Sequence, residues 1–126
     1  MSMRTPLGSV RGLGSAKAGS GHFIAQRATA IGLVPLLIYF VWTIAKLSSA
    51  TYAEFAAWVS TPWGGGALIL LVLAGFYHMA LGLQVVIEDY FHKESTKIFL
   101  LLLNAFWAVA AGLVAVFSVL KIAFSS

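Results

Sequence analysis

The chain has 126 residues, of which 60% are hydrophobic and 10% charged, with a formal net charge of +4 at pH 7 and no cysteine. A water-soluble domain of this size would expose too much apolar surface at that balance, whereas a helical membrane protein needs it. The lack of cysteine excludes disulfides, thiolate metal sites and iron–sulfur clusters ligated by this chain, and the cations stand singly rather than in a basic stripe, which argues against a nucleic-acid surface.

Residues 1–21 are rich in Ser, Gly and Ala, contain Arg4, Arg11 and Lys17, and carry no acidic residue. They lack the apolar core of a secretory signal and match a short organellar transit sequence only in composition, so they read as a retained, partly flexible cytoplasmic tail. The rest of the single domain predicts an all-α membrane protein with three transmembrane helices, at about 28–46, 64–87 and 98–120, each near the ~20 residues a crossing needs. Pro35 lies inside the first span and predicts a tolerated kink rather than a break. Trp42, Tyr52, Trp58 and Trp63 cluster between the first two spans, as aromatics do at headgroup level, so 46–63 reads as a short external loop. Pro62 and Gly64, Gly65 and Gly66 mark the entry to the second helix. Gln84 and Asn104 are expected to hydrogen-bond between helices.

Orientation follows from the cations at the span ends. Arg4, Arg11, Lys17, Arg27, Lys93 and Lys97 fall on one side of a three-span layout, and Lys46 and Lys121 on the other. Six against two predicts a cytoplasmic amino terminus, an external carboxyl terminus and a cytoplasmic loop 88–97.

The residues that can carry chemistry concentrate on the second span. His78 is the only ionisable side chain between residues 64 and 87 apart from Tyr77, and an imidazole inside a crossing is costly unless a partner or a cofactor meets it. It is either a polar contact between helices or a ligand. Gly75 and Gly82, three before and four after it, fall within about 60° of its helical face and clear room for something broad and flat, or for a neighbouring helix. Were the ligand a six-coordinate bis-histidine haem, the second axial residue would come from another subunit. Asp89 and Tyr90 follow eleven and twelve residues on, nearly three turns and about 16 Å further along the axis. That spacing suits either a proton-handling site at the interface with a redox centre below it, or a plain helix end. Arg27 is an anchor at the first turn or a partner for an anionic group such as a haem propionate. His92 reads as a solvated loop histidine, and His22 has no assigned role.

The stretch from His78 through Gly82 and Gln84 to Asp89 and Tyr90, with Ser20 to Ala30 and its Gln26-Arg27-Ala28-Thr29-Ala30 segment upstream, resembles the small hydrophobic membrane anchor of succinate dehydrogenase (respiratory complex II). The likeness runs over roughly residues 12 to 126 and is nearest the alpha-proteobacterial and mitochondrial type. It implies a bundle formed with a second, cytochrome b-type anchor subunit, carrying an iron–sulfur subunit and a flavoprotein subunit on the cytoplasmic face of a bacterial inner membrane, or of its mitochondrial counterpart. It also implies that His78 is an axial ligand of haem b, that Arg27 lies near the propionates, that Tyr90 hydrogen-bonds ubiquinone, and that Asp89 supports that site; the clearance that spacing gives at Gly82 would then border the cofactor. On this resemblance the chain is part of an enzyme that passes electrons from succinate to ubiquinone, without oxidising succinate itself. One departure is local: Phe91-His92-Lys93-Glu94 stands where the family often has a proline-bearing loop. Two rivals stay open, a quinol:fumarate reductase anchor and a cofactor-free three-helix subunit with a proton path at His78.

Overall fold

A lipid interior offers no hydrogen-bond partner to the backbone, so an apolar chain must satisfy its peptide groups within each crossing segment, and a helix does so. The computed structural model describes residues 5–7 and 17–125, and no strand occurs among them. Four α-helices and one π-helical turn follow in order: α1 Lys17–Lys46, α2 Tyr52–Val59, the π turn Pro62–Gly66, α3 Ala67–Tyr90 and α4 Glu94–Phe124. Three segments are long and apolar enough to cross a membrane, Gly19–Lys46, Pro62–Tyr90 and Glu94–Phe124. The chain is thus an all-α, multi-pass membrane protein.

Each of these three crossing segments overruns the apolar run that announces it. α1 begins at Lys17, so the last residues of the expected tail are helical, while Arg4 and Arg11 lie outside the described residues. At 1.5 Å per residue the 31 residues of α4 measure about 46 Å, against a hydrocarbon layer of about 30 Å. The surplus turns lie at headgroup level, where polar side chains cost little. α1 continues through Pro35 without interruption, as a membrane helix permits.

The connection 46–63 is not a plain loop. Thr51 and Glu54 form a capping box, with the Thr51 Oγ1 accepting from the Glu54 amide at 3.3 Å and the Glu54 carboxylate accepting from the Thr51 amide at 2.7 Å. Those bonds nucleate α2 and hold the Glu54 carboxyl below its ordinary range. Val59 at the end of α2 is 1% exposed, the most buried side chain described. The Ser60 hydroxyl reaches the Ala123 carbonyl of α4 at 3.0 Å, and the Tyr39 hydroxyl of α1 donates to the Trp63 carbonyl at 3.0 Å. α2 and the π turn therefore close one end of the bundle across all three spans.

α3 is the central helix, with α1 packed on one side and α4 on the other. Against α4 the fit depends on a stripe of small residues: Asn104, Ala108 and Gly112 recur every fourth position and are all buried. Phe76 packs beside them, edge-on to Trp107 at 5.9 Å between ring centroids and against Gly112, and a groove of about 480 Å³ stays open along Phe76, Ala108 and Gly112. Asn104 donates from Nδ2 to the Ala80 carbonyl of α3 at 2.9 Å, the interhelical bond expected of it. Gln84 differs: its amide bonds Glu88 one turn on within α3, because at the helix end that carboxylate is nearer than another helix.

Close approach at the π turn sets its glycines. A Cβ at Gly64 would collide with the Trp58 carbonyl, and one at Gly65 with the Val59 carbonyl, whereas at Gly66 it would meet nothing within 4 Å. Gly64→Ala is expected to lower stability by roughly 1–3 kcal/mol through overpacking, and Gly66→Ala to be neutral. Thermal unfolding of the detergent-solubilised protein measures both; equal midpoints for the two variants would contradict the packing described.

Candidate functional site

The site is assembled where α1 crosses α3. On α1, His22, Gln26 and Thr29 recur at four- and three-residue spacing and share one face. On α3, His78, Leu81, Gly82 and Val85 supply the opposing surface. The two helices run antiparallel, so Gln26 meets Gly82 and Thr29 meets His78.

His78 is half-buried, and its Nδ1 lies 2.9 Å from the Thr29 Oγ1. Thr29 has other bonds: its hydroxyl is 2.8 Å from the Ala25 carbonyl and 3.1 Å from the Gln26 carbonyl. Among the described residues, this histidine in the span is thus partnered through one ring nitrogen only. The two glycines flanking it are unlike. A Cβ at Gly82 would sit 3.8 Å from the Gln26 Nε2, so Gly82 gives α1 room to approach; a Cβ at Gly75 would meet nothing within 4 Å. Gly32, one turn from Thr29 on α1, is equally open. The open space beside His78 is therefore on the Gly75 side, and the Gly82 side, the other place where the sequence predicts clearance for a flat group, is taken by the α1 amide.

Toward the α1 amino-terminal end, a groove of about 270 Å³ is lined by Gly19, His22, Phe23, Gln26, Leu81 and Val85. The Gln26 Oε1 is buried there without a hydrogen-bond partner. Asp89 and Tyr90 stand exposed in the last turn of α3, Tyr90 at 76%, and Phe91 ends the helix in an extended conformation. His92 is exposed in the short turn that follows.

Arg27 does not join His78. Two positions from Thr29, it is turned about 200° around α1, away from α3, and its guanidinium lies over the Phe23 ring at 5.2 Å. Thr29, by contrast, has no role that the sequence alone assigns. It is visible there only as part of the Gln-Arg-Ala-Thr-Ala segment, since a threonine in an apolar helix ordinarily bonds back to its own backbone. Among the described residues no three His, Cys, Asp or Glu side chains converge to form a metal cage, so a metal here would be held by a single histidine of this chain.

Three apolar helices, one of them carrying a half-buried histidine and ending in an exposed acid–phenol pair, define a small multi-pass helical membrane protein. The chain matches the model of the succinate dehydrogenase/fumarate reductase transmembrane subunit family over residues 1–117, and it belongs to that family. It is similar to the succinate dehydrogenase hydrophobic membrane anchor subunit of Paracoccus denitrificans, 30% identical over 87% of this chain and 86% of that one. The corresponding subunit of Rickettsia bellii is 34% identical over 90% of this chain and 94% of its own length. The succinate dehydrogenase membrane anchor subunit of Reclinomonas americana is 30% identical over 65% of this chain and 71% of its own. No solved structure matches the chain.

The two glycines give a direct test of the helix crossing. Gly82→Leu is expected to push α1 off α3 and destabilise the protein by roughly 1–3 kcal/mol, while Gly75→Leu leaves the chain's own packing unchanged. Denaturation midpoints in detergent compare them, and a stable Gly82→Leu protein would remove Gly82 from the α1 contact.

Proposed function

We propose that the chain is the hydrophobic anchor of a succinate:ubiquinone oxidoreductase, lending one axial ligand to a haem b shared with a second anchor subunit and carrying part of the ubiquinone-reduction site. The observation that carries this reading is His78: half-buried in the central span, engaged among the described residues through Nδ1 alone, and bordered at Gly75 by open space. The free ring nitrogen and the missing side chain beside it suit an axial ligand of a broad planar group. Haem b, when bound there, supplies a one-electron centre.

The remaining steps belong to this chain's residues. His78 would hold the group through Nε2, within the crossing. Tyr90, at the end of α3, offers its phenol to a ubiquinone carbonyl and stabilises the negative charge that develops as electrons arrive. Asp89 beside it accepts and passes on protons, which the carbonyl oxygens need two of to become quinol hydroxyls. Arg27 serves a haem propionate by leaving the Phe23 ring, a move its exposed position allows. Electrons come from succinate through a flavoprotein and an iron–sulfur subunit on the side that holds Tyr90, Lys93 and Lys97. The six-to-two distribution of cations supports a cytoplasmic placement of that side, and the likeness to bacterial relatives supports a bacterial inner membrane.

Two measurements test the proposal. A reporter fused after Ser126 should be external and one inserted within 92–96 cytoplasmic; the opposite result would detach Tyr90 from the soluble subunits. Tyr90→Phe should leave assembly and succinate oxidation by an artificial acceptor near wild type, while ubiquinone reduction falls on the order of 10²-fold, since one positioned donor is lost. Normal ubiquinone turnover in that variant would reduce Tyr90 to an interface anchor.

A further inference from the structure

We infer that Thr29 is a positioning residue for His78, fixing the imidazole as the Nδ1–H tautomer and presenting the Nε2 lone pair to the ligand site. The inference rests on the haem reading proposed above and goes beyond it, since it concerns a residue with no assigned part in it.

A threonine hydroxyl carries one hydrogen and can accept two. The Thr29 Oγ1 has two carbonyls within reach, Ala25 at 2.8 Å and Gln26 at 3.1 Å, and carbonyls only accept, so the hydroxyl hydrogen goes to the shorter of these contacts. The third neighbour, the His78 Nδ1 at 2.9 Å, then meets an oxygen lone pair, and the contact is a hydrogen bond only if Nδ1 carries the hydrogen. A neutral imidazole protonated at Nδ1 is unprotonated at Nε2, on the far side of the ring, which is the form that binds a metal. Metal-bound histidines commonly donate their second N–H in this way, and the partner fixes both the tautomer and the plane of the ring.

The backbone makes the arrangement stiff. Thr29 is β-branched and sits in a helix, where its χ1 is confined, and the bond back to Ala25 selects the rotamer further. Gly82 lets α1 come close enough for the contact, with the Gln26 amide resting against it one turn away. A neutral hydroxyl, polarised by its own donation to Ala25, draws on the Nδ1–H and raises the basicity of Nε2 moderately, less than a carboxylate in the same place would.

The test uses the intact detergent-solubilised complex carrying wild-type chain, Thr29→Val, Thr29→Ser or His78→Ala. Haem content, the low-temperature ferric electron paramagnetic resonance spectrum and the midpoint potential are read for each. Thr29→Val keeps the shape and deletes the acceptor. It should weaken haem retention about tenfold, shift the ferric g-values because the ring plane is no longer fixed, and move the midpoint upward because the imidazole donates less to ferric iron. Thr29→Ser should restore the wild-type spectrum and potential. If Thr29→Val holds no haem, Thr29→Ser decides: a wild-type spectrum supports the hydroxyl role, and loss of haem in both overturns it. A Thr29→Val complex identical to wild type, or equal shifts in the Val and Ser variants, would also overturn it. A wild-type spectrum in His78→Ala would instead overturn the haem reading itself, so the two failures are distinct.

Discussion

The contact between Thr29 and His78 is where the requirements of lipid, packing and chemistry meet. An imidazole in a hydrocarbon layer must be partnered, and α1 supplies the partner from a residue whose other bonds are already made within its own helix. That contact needs α1 close to α3, where the Gln26 amide leaves room for little beyond a methyl group at 82, and it needs the helices in register, which the closed end formed by α2 and the π turn secures through Tyr39, Ser60 and the glycines at 64 and 65. A shift of one residue on either helix would turn Thr29 or His78 by about 100° and break the bond.

Much of this fold is legible in the sequence, and the illegible part has physical causes. Uncharged runs of about twenty residues announce three crossings because few other structures tolerate them. Their ends are not legible, since helices continue into the headgroup layer, where Lys17, Glu88, Asp89 and Lys121 are compatible with both helix and water. α2 is hidden because eight residues inside an aromatic-rich connection read as loop, although Thr51-Tyr-Ala-Glu54 is a capping-box pattern that could reveal it. At the site, His78 and the Asp89–Tyr90 pair stand out by rarity and spacing. Thr29 does not, because a hydroxyl in an apolar helix is ordinary and its tertiary partner lies 49 residues away. Arg27, two positions from Thr29, shows the converse: nearness in sequence suggests a shared site, and helical geometry turns it to the other face.

The three spans leave most of their surface uncovered. Of the most apolar 18-residue window in each, only 6% is buried within the chain. On α1, Ile31, Val34, Ile38 and Val41 form one exposed stripe; on α4, Phe99, Leu102, Phe106, Val109 and Leu113 form another. Lipid covers such faces without cost. A transmembrane subunit that stands beside a second anchor has use for them, and the open side at Gly32 and Gly75 is where a shared cofactor could reach His78 without displacing α1.

An electron cryomicroscopy map of the complex isolated from its membrane, at a resolution that separates side chains, shows whether His78 is a ligand whose second nitrogen is held by Thr29. A macrocycle beside Gly75, iron at the His78 Nε2, and the Thr29 hydroxyl on Nδ1 are expected. Lipid beside His78, with Nε2 bonded to another protein side chain, would rule that arrangement out.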